Sequence, residues 1–348
     1  MSLLIQVLEQ KGYTYRTRDG LYFDTSKFPG YGKLGQIPSS LIKDGDVSSL
    51  PDRLSLAGKS RIGENAEKRN PADFALWKFS PMGVKRMQEW PSPWGRGFPG
   101  WHIECSAMNK ALLGVTIDIH TGGIDHIPIH HNNEIAQSEA ANDRPLARYW
   151  MHEAFLTIEG RKISKSTGDD IYLSDIVEHG YHPLALRYLF LQAHYRSPLS
   201  FSWEALGAAH EALTRLWRHA AELKGDAKGM GAPSDHRERV VALLRDDLST
   251  PQALAYLWET IKDDSLSAKV AWGVIEAADA VLGLSLTNPP SPKAEPVPRD
   301  VQELAQKRET ARQARDFAAA DQLRIHIEER GYRVDDGPSG PVLTKTPK

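Results

Sequence analysis

The sequence predicts an α/β fold that carries strands and turns in its first half and helices in its second, and three observations lead there. The run Gly114-Val115-Thr116-Ile117-Asp118-Ile119-His120 is mostly apolar and β-branched, as a buried parallel strand is, and Thr121-Gly122-Gly123-Ile124-Asp125 follows at its carboxyl end. Residues 13 to 36 place Tyr13, Tyr15, Leu21, Tyr22 and Phe23 around the breakers Asp19-Gly20 and Pro29-Gly30, a pattern of short strands and turns. From residue 203 the apolar positions Trp203, Leu206, Ala209, Leu213, Leu216, Trp217 and Ala220 recur at helical spacing, and 236–248 and 252–284 behave alike, which predicts a helix bundle.

Composition sets the bounds. The 348 residues, 41% hydrophobic and 25% charged, suit a globular protein of two or three domains. A net charge of -2 means that a nucleic-acid partner must be met by a local basic face and not by bulk charge. The single cysteine excludes an internal disulfide framework and fits a reducing cytoplasm. No stretch approaches a membrane span. The chain opens with MSLLIQVLEQKGY, where Leu3, Leu4, Val7 and Leu8 take helical spacing, so this is no signal peptide. An amphipathic helix with no preceding cap or strand leads us to expect that an upstream element is missing.

Along the chain, 37–70 is polar and reads as an excursion, and 70–100 reads as a rigid aromatic loop holding Phe74, Trp77, Trp90 and Trp94 among prolines. At the end of the Gly114 strand, Gly122 and Gly123 allow close backbone approach, and Asp125 can accept hydrogen bonds from a ribose. Next, His130-His131-Asn132-Asn133-Glu134 opens a helix in which His130 and Glu134 share a face. That pair is either a local ion pair or part of a metal site. Cys105, in Trp101-His102-Ile103-Glu104-Cys105, is a third acceptable zinc donor, and three donors leave one position vacant for a substrate; a lone cysteine can equally be a small buried hydrophobe. The loop Lys162-Ile163-Ser164-Lys165-Ser166-Thr167-Gly168 sets two mobile ammonium groups on a small-residue backbone, a phosphate grip. Lys224 to Asp235 is a Gly-rich connection and Thr287 to Arg299 a Pro-rich linker. Beyond it, Arg308, Arg312 and Arg315 line one helix face, either solvated or phosphate-contacting.

Several runs together resemble the cysteinyl-tRNA synthetase family of class I synthetases. They are Asn70-Pro71-Ala72-Asp73-Phe74-Ala75-Leu76-Trp77-Lys78, the Trp-Pro-Ser-Pro-Trp-Gly at 90 to 95, and Pro99-Gly100-Trp101-His102-Ile103-Glu104-Cys105-Ser106-Ala107-Met108. The His130-His131 helix, the lysine loop, Ala193-His194-Tyr195-Arg196-Ser197-Pro198-Leu199, and the end segment Ala311 to Gly337 continue the likeness. The family's lysine signature has methionine where this chain has Ile163.

The resemblance implies an incomplete class I Rossmann-type catalytic domain over 1–160 with a connective insertion at about 13–70. A lysine-signature and stem-contact region at 161–200, a helical bundle at 201–286 and a small anticodon-recognition domain at 300–348 follow. It implies that the carboxylate of L-cysteine attacks the α-phosphate of ATP, used with Mg2+, to give an adenylate and pyrophosphate, and that the acyl group then moves to tRNA(Cys). Lys165 would neutralise charge on the transferring phosphoryl group, and Lys162 would help hold the loop closed. Gly122, Gly123 and Asp125 would seat the adenosine. Zn2+ on Cys105, His130 and Glu134 would bind the substrate thiolate, with Trp101 as a packing wall; an alcohol does not ionise to such a ligand, so serine is rejected. Arg308, Arg312 and Arg315 would meet tRNA.

The family also carries His-x-Gly-His and a further zinc cysteine in an N-terminal stretch that these residues lack. A truncated or split form, served by a complementing N-terminal chain, is therefore expected. A synthetase-derived tRNA-binding module without activity, or the cysteine:amino-sugar ligase of mycothiol synthesis, are the alternatives; the anticodon-reader likeness favours tRNA as acceptor.

Overall fold

The computed structural model describes residues 1–37, 66–81, 83, 86–158, 161–162, 171–290, 297–337 and 340–345, and the chain divides into two compact units, Met1–Phe155 and Leu156–Lys348.

In the first unit, helix α1 (Ser2–Gln10) buries Leu4, Ile5 and Leu8 on one stripe. Strands β1 (Thr14–Arg16), β2 (Gly20–Phe23), β3 (Phe74–Phe79) and β4 (Gly97–Pro99) form an antiparallel sheet in that order. The aromatic stretch expected to be a loop thus contains a central strand. Phe74, Ala75, Leu76 and Trp77 are all buried, so β3 is covered on both faces and lacks the alternation that marks a half-exposed strand. Asp73, just before β3, is 1% exposed and accepts from Tyr15 Oη (2.8 Å), the Thr25 amide (2.8 Å) and Thr25 Oγ1 (2.7 Å). It ties the hairpin to the strand, since a buried carboxylate is tolerated only when its oxygens are bonded. At the exit of β4, a Cβ on Gly100 would collide with the Ala75 carbonyl oxygen, so only glycine lets the chain turn there into α2 (Trp101–Leu112).

A β-α-β unit follows. Strand β5 (Ile117–Gly123) pairs parallel with β6 (Ala147–Glu153), and α3 (Asn132–Asn142) lies between them in sequence. The predicted strand is present, but it starts later, takes in both glycines, and is not buried along its length. Ile119 is 60% and Tyr149 on β6 70% exposed, because no described element covers that face. Helix α3 is the reverse case: Asn132, Asn133, Glu134, Gln137 and Ser138 are polar and nearly all inaccessible. Buried polar groups need partners, and several have them: Asn132 Nδ2 donates to the Leu34 and Ile127 carbonyls, Tyr31 Oη to Asn133 Oδ1, and Gln137 Nε2 to Ser106 Oγ.

The second unit begins with β7 (Leu156–Ile158), which pairs antiparallel with β8 (Arg161–Lys162) and parallel with β9 (Leu199–Phe201). Helices α4 (Leu173–Glu178) and α5 (Pro183–Leu191) precede a bundle of α6 (Trp203–Ala227), α7 (Asp235–Arg245), α8 (Thr250–Ile261) and α9 (Ala268–Leu282). The single periodic run expected at 252–284 is two helices. Asp263 bonds the Ser265 amide (2.9 Å) in the break, and Ser267 caps α9 through the Val270 amide. Leu206, Leu213, Leu216, Leu257, Val274 and Ile275 meet in the core at full burial. Beyond, α10 (Arg299–Gln313), α11 (Phe317–Glu329) and the hairpin β10 (Tyr332–Gly337) with β11 (Gly340–Lys345) enclose a small core of Val301, Ala305, Ile327, Tyr332 and Val334. Among the described residues no helix is long and apolar enough to cross a membrane.

Candidate metal centre

The site lies wholly in the first unit, where α2, the carboxyl end of β5 and the start of α3 converge. After β5 the chain makes a 3-10 turn (Ile124–His126) and a π-type turn (Ile127–His131) before α3 begins. Such a π-turn is rare and often functional; here it delivers His130 and His131 into the interior, 6% and 2% exposed. One turn later, Glu134 is 0% exposed.

Cys105, on the second turn of α2, meets His130 and Glu134 with all three ligand atoms within 4.8 Å of one another. His130 Nδ1 is 2.8 Å from His102 Nδ1, so its ring is oriented by that partner and its Nε2 faces Glu134 Oε1 at 2.6 Å. The contact is close, yet Glu134 Oε1 makes no well-directed hydrogen bond although it is buried. A cation between the donors would give this oxygen a better-directed partner than its close contact with His130. Burial by itself would raise the Glu134 carboxyl, but its contacts with His120 and His130 outweigh burial and hold it down at about 2. Burial, followed by the neighbouring Glu134 charge, pushes the Cys105 thiol up to about 12. Without a cation the cysteine is therefore a thiol; a bound metal takes it as thiolate and releases the proton. Trp101 opens α2 at 56% exposure and lays its ring 4.4 Å from that of His130, closing one side of the group.

Of the other residues singled out from sequence, Gly122 and Gly123 lie inside β5, paired with His152 and Glu153, and not in a turn after it. A Cβ on Gly122 would sit 2.6 Å from His131 Cε1, so the missing side chain makes room for a histidine ring. Asp125 lies in the 3-10 turn, its Oδ1 folded back into the space that a Cβ on Gly123 would take. Lys162 ends β8 with its backbone paired to Thr157, while Lys165 lies outside the described residues. The three arginines do not form one free face: Arg308 is 8% exposed and donates to Asp336 Oδ1 at 2.8 Å, Arg312 also pairs with Asp336, and Arg315 is exposed at a positive φ of 61°.

Sequence spacing missed the rest of the cluster. His120 Nε2 is 2.5 Å from Glu134 Oε2, and His131 Nδ1 is 2.8 Å from His152 Nε2. These residues come from β5, the π-turn and β6, and no linear period links them. The adjacent pair His130-His131 was the one available signal. Burial, helped by neighbouring histidines and opposed by the Glu134 charge, pushes the His131 and His102 rings each down to about 3, so both are neutral at physiological pH.

The profile described as "tRNA synthetases class I (C) catalytic domain" matches residues 1–211. A protein named Cysteine--tRNA ligase 1 from Burkholderia lata is 46% identical over 340 residues, which is 97% of this chain and 68% of that protein. A Cysteine--tRNA ligase from Opitutus terrae is 43% identical, covering 99% of this chain and 72% of that one, and another from Caldicellulosiruptor saccharolyticus is 38% identical, covering 98% and 73%. A solved structure titled as the ternary complex of Agrobacterium radiobacter K84 agnB2 LeuRS-tRNA-LeuAMS superposes with a TM-score of 0.44 at 17% identity, over 58% of this chain and 34% of that one. The profile match over more than half of the chain, and relatives of which it spans more than two thirds, place it plainly: this chain belongs to the cysteine–tRNA ligase family of class I tRNA synthetases.

Proposed function

We propose that the chain contributes to ATP-dependent ligation of L-cysteine to tRNA(Cys), and the observation that carries this beyond family membership is the buried convergence of Cys105, His130 and Glu134. The substrate carboxylate oxygen attacks the α-phosphorus of ATP and pyrophosphate leaves; a hydroxyl of the terminal ribose of the tRNA then attacks the acyl carbon, forming the ester while AMP leaves. When bound, a zinc ion supplies a soft Lewis acid that accepts a thiolate and refuses an alcohol. The residues present fit it: one thiol, one imidazole and one buried carboxylate, whose Oε1 has only a close, poorly directed contact with His130. His102 fixes the ring of His130, and Trp101 walls the substrate side. Gly122, Gly123 and Asp125 are proposed to seat the adenosine, and Lys162 and Lys165 to neutralise the phosphates, which Mg2+ would accompany.

Of the three arginines, Arg315 is the one proposed to meet tRNA phosphate, since Asp336 engages Arg308 and Arg312. We further propose that a complementing N-terminal segment covers the exposed face at Ile119 and Tyr149 and the end of α2 at Leu112 and Leu113, because parallel strands are normally covered on both sides. A cytoplasmic location accords with a single reduced cysteine.

Cysteine-dependent ATP–pyrophosphate exchange tests the enzyme assignment. The expected outcome is exchange that Lys165→Ala abolishes while tRNA binding persists. Absence of exchange with intact tRNA binding, even with the N-terminal segment supplied, would instead leave a tRNA-binding module.

A further inference from the structure

Gln137 stands nearly one turn beyond Glu134 on α3, so the two side chains leave the same face of that helix. It is 0% exposed, and its Nε2 donates twice, to the His102 carbonyl oxygen and to Ser106 Oγ at 2.7 Å. Those two acceptors lie one turn apart on α2 and bracket Cys105. His102 in turn holds the His130 ring through the 2.8 Å contact between their Nδ1 atoms. The side chain next to Glu134 therefore reaches the helix on both sides of the thiol and, through His102, the imidazole. We propose that Gln137 is a positioning residue, which fixes α2 against α3 so that Cys105 and His130 meet Glu134; its use in metal binding rests on reading those three as the ligand set.

The other end of the amide sharpens the assignment. Gln137 Oε1 is buried with no hydrogen-bond partner among the described residues, and a buried acceptor left unsatisfied opposes folding. Stability alone would favour an apolar side chain of the same length there, and methionine is one that fits irregular space. The His102 carbonyl would not be orphaned by that change, because within a helix it also accepts from the amide four residues on. A packing role therefore predicts that Gln137→Met is tolerated in every respect. A positioning role predicts a stable protein whose thiol and imidazole are no longer held in place.

Two readouts on the full chain test this without ligase activity. Cys105 is the only cysteine, so alkylation by iodoacetamide in the presence of a chelator reports on that thiol alone. Cobalt titration, followed through the sulfur-to-cobalt charge-transfer band, reports on the assembled donors. Gln137→Met should alkylate several-fold faster than the parent and bind cobalt more weakly by roughly tenfold or more. Ser106→Ala removes one of the two ties, should shift both readouts the same way by less, and carries the test if Gln137→Met does not fold. Leu213→Ala, in the other compact unit, is the control for lost stability and should leave both readouts at parent values below its unfolding transition. Parent-like alkylation and cobalt affinity in Gln137→Met, or shifts no larger than those of Leu213→Ala, would overturn the positioning role while leaving the metal site intact. A parent that takes up no cobalt, with alkylation still faster in Gln137→Met, would instead count against the metal site and support Gln137 as the residue that holds Cys105.

Discussion

Replacing Gly122 with alanine asks how tightly the histidine cluster is packed. The new Cβ would lie 2.6 Å from His131 Cε1 and 2.9 Å from His131 Nε2 and from His126 Nδ1. Ordinary contact begins near about 3.4 Å, so the His131 ring must retreat by roughly 0.8 Å. It has little freedom to do so: it is 2% exposed, bonded to His152 at 2.8 Å, and backed by Trp150. Overpacking of this kind costs about 1–3 kcal/mol. Against it stands about 0.4–1 kcal/mol gained because alanine has fewer unfolded conformations than glycine. The expected net is a destabilisation of about 1–2 kcal/mol. Urea unfolding followed by near-ultraviolet circular dichroism measures it. A midpoint at or above that of the parent would refute the packing argument, since only the entropic term would then be acting.

Cys105→Ser should lower bound zinc, and an unchanged metal content after dialysis would remove the cysteine from the ligand set. In the bundle, Leu213 is fully buried in α6, so Leu213→Ala should cost about 2–5 kcal/mol of stability; a loss below about 1 kcal/mol would mean that the core collapses around the gap. Asp247 accepts from Arg196 Nε at 2.7 Å and Tyr195 Oη at 2.6 Å, and those hydrogen bonds hold its carboxyl down at about 2 against an ordinary 3.8. A depressed carboxyl stabilises fully above its ordinary value and loses that contribution as pH falls through the lower one. The urea midpoints of the parent and Asp247→Asn should therefore converge on acidification across that interval, and a constant separation would argue against the clamp.

Local spacing made part of this legible. His130 and Glu134 are one helical turn apart, and the lone Cys105 suggests the third donor, so the first triad can be named from the sequence alone. His120, His131 and His152 cannot, because their meeting depends on how β5, β6 and the π-turn are placed in space. Likewise, Arg308, Arg312 and Arg315 share a helix face by spacing, but only the hairpin brings Asp336 to the first two. The strand β3 is hidden by burial on both faces, which removes the alternation that betrays a strand. The Gly114 run announces a strand through its β-branched residues, yet its exposure depends on what lies beside it.

The sequence by itself determined the family, the helical periodicity of the second half and the first three candidate ligands, because each is carried by residues close together along the chain. Tertiary structure alone decided that one buried carboxylate serves two donor groups, that a glycine in a strand exists to admit a histidine ring, and that two of three arginines are already paired. Those facts depend on contacts between residues far apart in sequence, and such contacts exist only once the elements are packed.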